Sequence, residues 1–394
     1  MKEYLQKYRG RIILMGLSVF LLHGAKLHSE VIGIDTEDII HIQKDFYDGW
    51  LGTGRQGLFA LKWLTDSLSF HPFMAQLFTL IFFTMAVSAF FMIWDRILCD
   101  KTVPANPIHI LSWAAGGLFL ISHPIMTEQF YFTLQSVEIC IGMLFTAISL
   151  YLIVRYREAG KLWRLLVSAL LQIWTFSVYQ TFVVMFIFGT VSILLLRGIA
   201  RLRREETVAA GELLREMLPF LGVFFAAFAG NTLITQLFFY SSDYLGGQIL
   251  WGKYEVIDNL RAIAGRNGHI VRVLTGRGFV HYHYSFGLLC LVTGCLIVLL
   301  CVRGIRSGNI KKSVAAVIFF YLTALFITPF LMTFLCGGMP VIRSQLVLPM
   351  ITGLLAYLSL TLLFDEKRRD GMVVRIALGC MGCGSRYRVQ CLLP

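Results

Sequence analysis

Charge is scarce in this chain. Only 15% of its 394 residues are Asp, Glu, Lys or Arg, whereas a soluble domain carries roughly 25%. That deficit excludes an ordinary cytosolic enzyme. No GxxxxGK[ST] stretch occurs, so no nucleotide P-loop is encoded. Internal repeats and low-complexity segments are also missing. The nine cysteines fall mostly inside apolar runs, so no disulfide framework is evident. The first apolar stretch follows basic residues but lacks a small-residue cleavage site, and it reads as a retained span rather than a cleaved signal.

What the sequence does have is apolar length. Hydrophobic residues make up 57% of it, and the mean hydropathy is +0.71. A membrane-crossing helix needs about 20 apolar residues. Runs that approach or exceed this lie at 12–29, 73–95, 108–122, 131–154, 163–178, 181–197, 217–239, 284–302, 313–335 and 345–364. The stretch 163–197 is too long for one helix and divides into a hairpin at Ser177–Thr181. Runs 108–122 and 163–178 are short and call for local thinning of the bilayer. The tail 371–394 starts like another span but runs out of apolar residues, and reads as an incomplete or aberrant last helix. The expected fold is an all-α polytopic membrane protein of about 10–11 transmembrane helices, forming one integral membrane domain over 1–394.

The basic residues orient it. With the N-terminus in the cytoplasm, 23 lysines and arginines fall on the cytoplasmic side and nine on the outer side. This is the excess expected of cytoplasmic loops. The net charge of +12 is therefore a topology signal and not a nucleic-acid footprint. Two long loops, 30–72 and 240–283, fall outside. Long structured loops of this kind are often functional. In the first, Ile39, Ile42 and Phe46 form one apolar stripe. Leu58, Leu61, Trp63, Leu64 and Leu68 form another, flanked by Lys62, a pattern that suits a short amphipathic helix lying in the membrane interface.

The first loop opens with Asp35, Glu37 and Asp38. Clustered carboxylates supply a general base and a neighbour that tunes it. The same residues also suit a helix start, with Asp35 as the cap and Asp38 reaching back to it. Capping accounts for Asp38 better than for Asp35 or Glu37. Next comes Gly49-Trp-Leu-Gly-Thr-Gly-Arg-Gln-Gly57, whose glycines let the backbone bring Arg55 close to a ligand. A guanidinium binds phosphate or carboxylate at two points. A salt bridge from Arg55 to Asp35 or Asp48 is the competing reading. Further outer-side candidates are Glu128, Gln180, Asp243, His281, His283 and Arg343. His281 and His283 have no matching ligand set nearby, so no metal or cofactor is expected and a place at the start of a span explains them. Arg343 either holds a lipid phosphate or snorkels to the interface. Glu138 lies within a span and must face the bundle interior or a wet cavity.

Ile34-Asp-Thr-Glu37 paired with Trp50-Leu-Gly-Thr-Gly-Arg-Gln-Gly-Leu58, then Ser177-Val-Tyr-Gln-Thr181, then Pro340-Val-Ile-Arg343, resemble in order and spacing the bacterial Gtr-type O-antigen glucosyltransferases. The resemblance covers roughly residues 10–365. It implies a GT-C-like fold in the plasma membrane of a bacterium. The implied activity is hexosyltransfer on the outer face from a polyprenyl-phosphate-linked sugar, usually glucose, to a surface glycan. Asp35 and Glu37 are the implied catalytic acids, with Arg55, Gln180 and Arg343 the implied substrate and phosphate contacts. One base and direct displacement imply inversion at the anomeric carbon. A lipid-linked sugar flippase or secondary transporter, which would favour internal repeats, and a non-catalytic membrane scaffold are the alternatives.

Overall fold

A computed structural model describes residues 2–28, 41–65, 67–68, 71–98, 107–204, 206, 209–238, 249–264, 268–277 and 280–364. The carboxylates Asp35, Glu37, Asp38 and Asp243 and the tail 371–394 lie outside the described residues. Helices dominate throughout, and among the described residues there is no strand. In order they are α1 (Lys2–His23), which continues as a 3-10 turn Gly24–His28, α2 (Gln43–Gly52), α3 (Gln56–Leu64), α4 (Pro72–Leu98), α5 (Pro107–Ile121) and α6 (Pro124–Tyr131). Then follow α7 (Thr133–Ala159), α8 (Trp163–Phe176), α9 (Thr181–Arg203), α10 (Ala210–Arg215), α11 (Leu218–Phe238), α12 (Val256–Ala264) and α13 (His269–Thr275). The last are α14 (Ser285–Arg306), α15 (Lys312–Ile327), α16 (Leu331–Cys336) and α17 (Val347–Leu363).

All ten apolar runs coincide with helices. Among the described residues seven helices are long and apolar enough to cross a membrane, and α5 with α6 forms a further candidate, bent by 50°. The bend falls at Ser122-His-Pro124. Pro124 has no N–H to give, which suits the first helical position, and His123 Nδ1 accepts from the Ile125 N–H at 3.3 Å. α8 and α17 are shorter apolar helices. The chain is an all-α polytopic membrane protein.

The packing is uneven. α4, α7 and α9 are mostly buried, whereas the flanks of α1, α11 and α14 are largely open. At the centre Phe91, Trp94, Trp113 and Tyr357 meet edge to face. Hydrophobic burial does not drive helices together in lipid, so close backbone approach and polar contacts must do so. Gly116 of α5 and Gly353 of α17 cross so tightly that a Cβ on either would sit 2.8 Å from the other's carbonyl oxygen. Hydroxyl pairs link neighbours: Thr79 with Ser136 at 2.7 Å, Ser149 with Ser168 at 2.6 Å, and Thr293 with Ser359 at 2.7 Å. Asp95 binds three helices at once. It pairs with Arg11 at 3.1 Å and accepts from the hydroxyls of Tyr8 and Tyr357 at 2.6 and 3.2 Å.

The first-loop helices pack differently from the sequence expectation. In α2 Tyr47 and Trp50 are buried; of the expected stripe, Ile42 just before the helix is exposed, and Ile39 and the Phe46 side chain lie outside the described residues. Tyr47 donates to the Leu68 carbonyl at 2.7 Å, and burial pushes its phenol up to about 12. In α3, Leu58 and Lys62 face the bundle and Trp63 and Leu64 face out. Lys62 is no interfacial flank: its Nζ lies 2.8 Å from Glu138 Oε1, with both side chains buried. A carboxylate inside a span needs a cation more than a nine-residue helix needs its apolar stripe covered.

Candidate active site

Three separated pieces of sequence meet at the end of the bundle where α7, α9 and α17 begin. The first is the turn between α2 and α3. Gly54 holds φ +73 there, a conformation that a side chain would strain. Gly57 is required for another reason: a Cβ would sit 2.8 Å from the Trp174 carbonyl and closer still to Ser177 Oγ. This approach lets the Gly57 N–H donate to the Ser177 carbonyl at 3.0 Å. The first-loop turn is thereby docked on the second piece, the hairpin turn Ser177–Thr181. Gln180 Nε2 donates back to the Thr53 carbonyl at 2.8 Å, and the Arg55 guanidinium lies 5.1 Å from the Tyr179 ring centre. Gln56 extends the contact to α11, donating to Asn231 and Thr235 at 3.1 and 2.8 Å.

The third piece is the 3-10 turn Ile342–Ser344. Thr181 Oγ1 donates to the Ser344 carbonyl at 3.0 Å, so the second and third pieces are joined directly. Arg343 stacks on Phe132, 3.7 Å from the ring centre, and among the described residues its guanidinium makes no ion pair. Next to it Gln345 is buried. It accepts from the Tyr282 hydroxyl at 3.0 Å and donates to the Pro340 carbonyl at 3.2 Å. Tyr282 in turn contacts His269 Nδ1 at 3.3 Å. Burial holds the His269 imidazole down to about 4 and raises the Tyr282 phenol.

Residues 25–360 match the family model for glucosyl transferase GtrII. The chain belongs to that family. No match was found among curated proteins or among solved structures. The GtrII assignment makes this a glucosyltransferase of the membrane. Gln180 immediately precedes α9, and Arg343 lies in the 3-10 turn four residues before α17 begins.

The remaining candidates divide. Glu128 and His281 come within 3.9 Å of each other and are part-exposed, so they form a second polar point on the same end of the bundle. His283 lies apart from them in function: its Nδ1 accepts the Ser285 N–H at 3.2 Å, which caps the start of α14. Among the described residues no three His, Cys, Asp or Glu side chains converge as a metal site would require. Sequence reasoning missed the Lys62–Glu138 pair as a pair, and it missed Gln56, Gln129 and Gln345. Gln129 is fully buried with both amide atoms unpartnered among the described residues. Gln129 falls between the apolar runs 108–122 and 131–154, so hydropathy carried no signal for it.

Proposed function

We propose that the GtrII chain transfers glucose from a polyprenyl-phosphate donor to a surface glycan on the outer face of a bacterial plasma membrane. The observation that supports this best is the stacked, ion-pair-free Arg343, joined through Ser344 and Thr181 to the turn that carries Arg55 and Gln180. A guanidinium held by its flat face on an aromatic ring keeps its N–H edge for phosphate oxygens. The prenyl chain lies in the bilayer, and the sugar sits over the outer end of the bundle.

In the reaction, Asp35 or Glu37 takes the proton of an acceptor hydroxyl as its oxygen attacks the anomeric carbon. The new oxygen–carbon bond forms as the bond from that carbon to the phosphate oxygen breaks, and the electron pair leaves with the lipid phosphate. The configuration inverts. Arg343, with Arg55, offsets the charge growing on the leaving phosphate, an effect of the kind that dominates catalysis in water-poor sites. No nucleotide is consumed. The N-terminus is cytoplasmic in this arrangement, following the uneven distribution of basic residues.

The test is purified protein in lipid vesicles supplied with labelled polyprenyl-phosphate glucose and an acceptor glycan. Label moving to the acceptor with inverted configuration supports the proposal. Translocation of intact donor without transfer would make the protein a flippase, and neither event would make it a scaffold.

A further inference from the structure

The far end of the bundle, where α4, α7 and α9 terminate, carries a cavity of about 770 Å³ lined by six arginines and three glutamates. The carboxylates are oversubscribed. Buried Glu216 serves Arg197 at 3.1 Å, Arg201 and, at 3.9 Å, Arg157. Glu158 serves Arg96 at 2.8 Å and Arg155 at 2.6 Å. Arg204 and Glu206 face each other at 3.7 Å near the surface. The cavity thus holds a surplus of positive charge, and Arg201 Nη1 within it is buried without a hydrogen-bond partner.

A second cavity, about 700 Å³, adjoins it and is chemically the opposite. Its walls are Ile12 of α1, Met85 and Ala89 of α4, and Ile148 and Tyr151 of α7. Met85 and Ile148 are exposed on the flank of the bundle, so this groove opens where lipid chains run. Arg96 and Arg155 line both cavities, so a cationic end and an apolar trough meet at these two side chains. Ser88 Oγ, in the trough wall, is buried and unpartnered. From Arg96 to Met85 the helix rises about 16 Å, close to half of a hydrocarbon core about 30 Å thick. That is the depth of one leaflet.

We infer that this is a binding site for an anionic phosphoglyceride of the leaflet opposite the transfer site, with its phosphate among Arg96, Arg155 and Arg201 and one acyl chain in the trough. The occupant is a lipid rather than a free anion because the trough gives a headgroup alone nothing to fill it. It is anionic because a zwitterionic head brings its own cation into an already positive cavity. The site stands independently of the transfer chemistry, being at the other end of the bundle.

The experiment uses the full chain reconstituted in bilayers of phosphatidylglycerol, phosphatidylcholine and polyprenyl phosphate, extracted in mild detergent and examined by native mass spectrometry for retained lipid. Phosphatidylglycerol should be retained about tenfold over phosphatidylcholine, the direction expected of arginines facing an anionic headgroup. The double substitution R96Q/R155Q should abolish the preference. Ala89→Trp, which fills the trough and leaves the arginines in place, should lower retention of phosphatidylglycerol, and millimolar glycerol phosphate should not displace the lipid from the native protein. Equal retention of both lipids by the native protein overturns the inference, whether or not either variant folds. Displacement by glycerol phosphate makes this a soluble-anion site, and preferential retention of polyprenyl phosphate over phosphatidylglycerol makes it a donor site; either result overturns the assignment.

Discussion

At one end of the bundle Arg343 lies on Phe132 and Arg55 against Tyr179, whereas at the other Glu216 and Glu158 hold five arginines between them. An aromatic face takes a guanidinium by its flat side and leaves its donors for something else. A carboxylate consumes those donors and fixes the helices that carry them. Arg343, which makes no ion pair among the described residues, thus keeps its donor edge for an anionic oxygen, as the proposed transfer requires. The end with shared carboxylates is suited to fixing helix termini and holding a long-dwelling counter-charge. On the proposed function, the same residue type serves turnover at one end and architecture at the other, and the partner decides which.

The strongest way to sharpen the contrast is to remove the base from the turnover end. Asp35→Asn or Glu37→Gln should lower glucose transfer by about two to four orders of magnitude, the usual loss when a general base is removed. Asp38→Asn should do far less, because Asn caps a helix nearly as well as Asp. Initial rates of label transfer, with donor binding measured alongside, check this. Near-native rates in both amide variants would make these acids structural and move attention to Glu128 and Asp243.

The buried pair between Lys62 and Glu138 is an architectural feature placed at the turnover end, so it tests whether the two ends are truly distinct. Lys62→Met alone leaves a buried carboxylate without its cation and should cost about 3–5 kcal/mol. The double variant Lys62→Met, Glu138→Leu should recover most of that, since a well-packed apolar pair is often no worse than the ion pair. Detergent-solution melting temperatures of the single and double variants decide it. If the double variant is folded yet inactive, the pair contributes to the chemistry as well.

These two experiments also mark what the sequence could and could not reveal. The bilayer requires long apolar helices, so all ten runs and the turn at Ser177–Thr181 were legible from hydropathy alone. Glu138 was legible as an inward-facing group for the same reason. Its partner was not. Over the nine residues of α3, Leu58 with Lys62 and Trp63 with Leu64 define rival faces, and only the distant Glu138 chooses between them. In α2 the choice of face goes with Tyr47, whose ring meets Trp50 in its own helix and Phe59 of α3. At the candidate site the motifs were readable one by one, but their junction rests on main-chain contacts. The Gly57 N–H to Ser177 and the Thr181 hydroxyl to Ser344 leave no signature in residue type.

A milder break replaces the stacked guanidiniums. Arg343→Lys keeps the charge and loses the planar fork, so transfer at limiting donor should fall about tenfold or more, a loss on the scale of removing one electrostatic contact to developing charge. Arg55→Lys should fall in the same direction. Full turnover in Arg55→Lys would make Arg55 a residue that staples its loop, with Arg343 left as the phosphate contact. Thermal stability should change little in either variant, which separates this outcome from a folding defect.

Near neutral pH the smallest effect expected is a pH dependence from His269, which grows only on acidification. Tyr282 gives its hydroxyl proton to Gln345 Oε1 at 3.0 Å, so its contact of 3.3 Å with His269 Nδ1 requires the ring to donate from that nitrogen. Nε2 is then the unprotonated nitrogen, and it is buried with no partner among the described residues. Protonation would place an unsatisfied N–H there, close to Arg272. Burial, helped by Arg272, accordingly lowers the imidazole from 6.5 to about 4. The folded chain resists a proton that the unfolded chain accepts. Stability contributed by the neutral ring is therefore complete above pH 6.5 and declines as pH falls from 6.5 toward 4. The loss amounts to about 3 kcal/mol at most. His269→Gln keeps a polar side chain that does not titrate in this range, so melting temperatures measured across that window should flatten relative to the native protein. An unchanged slope would show that His269 stays neutral in the unfolded chain as well, or that other groups set the acid limb.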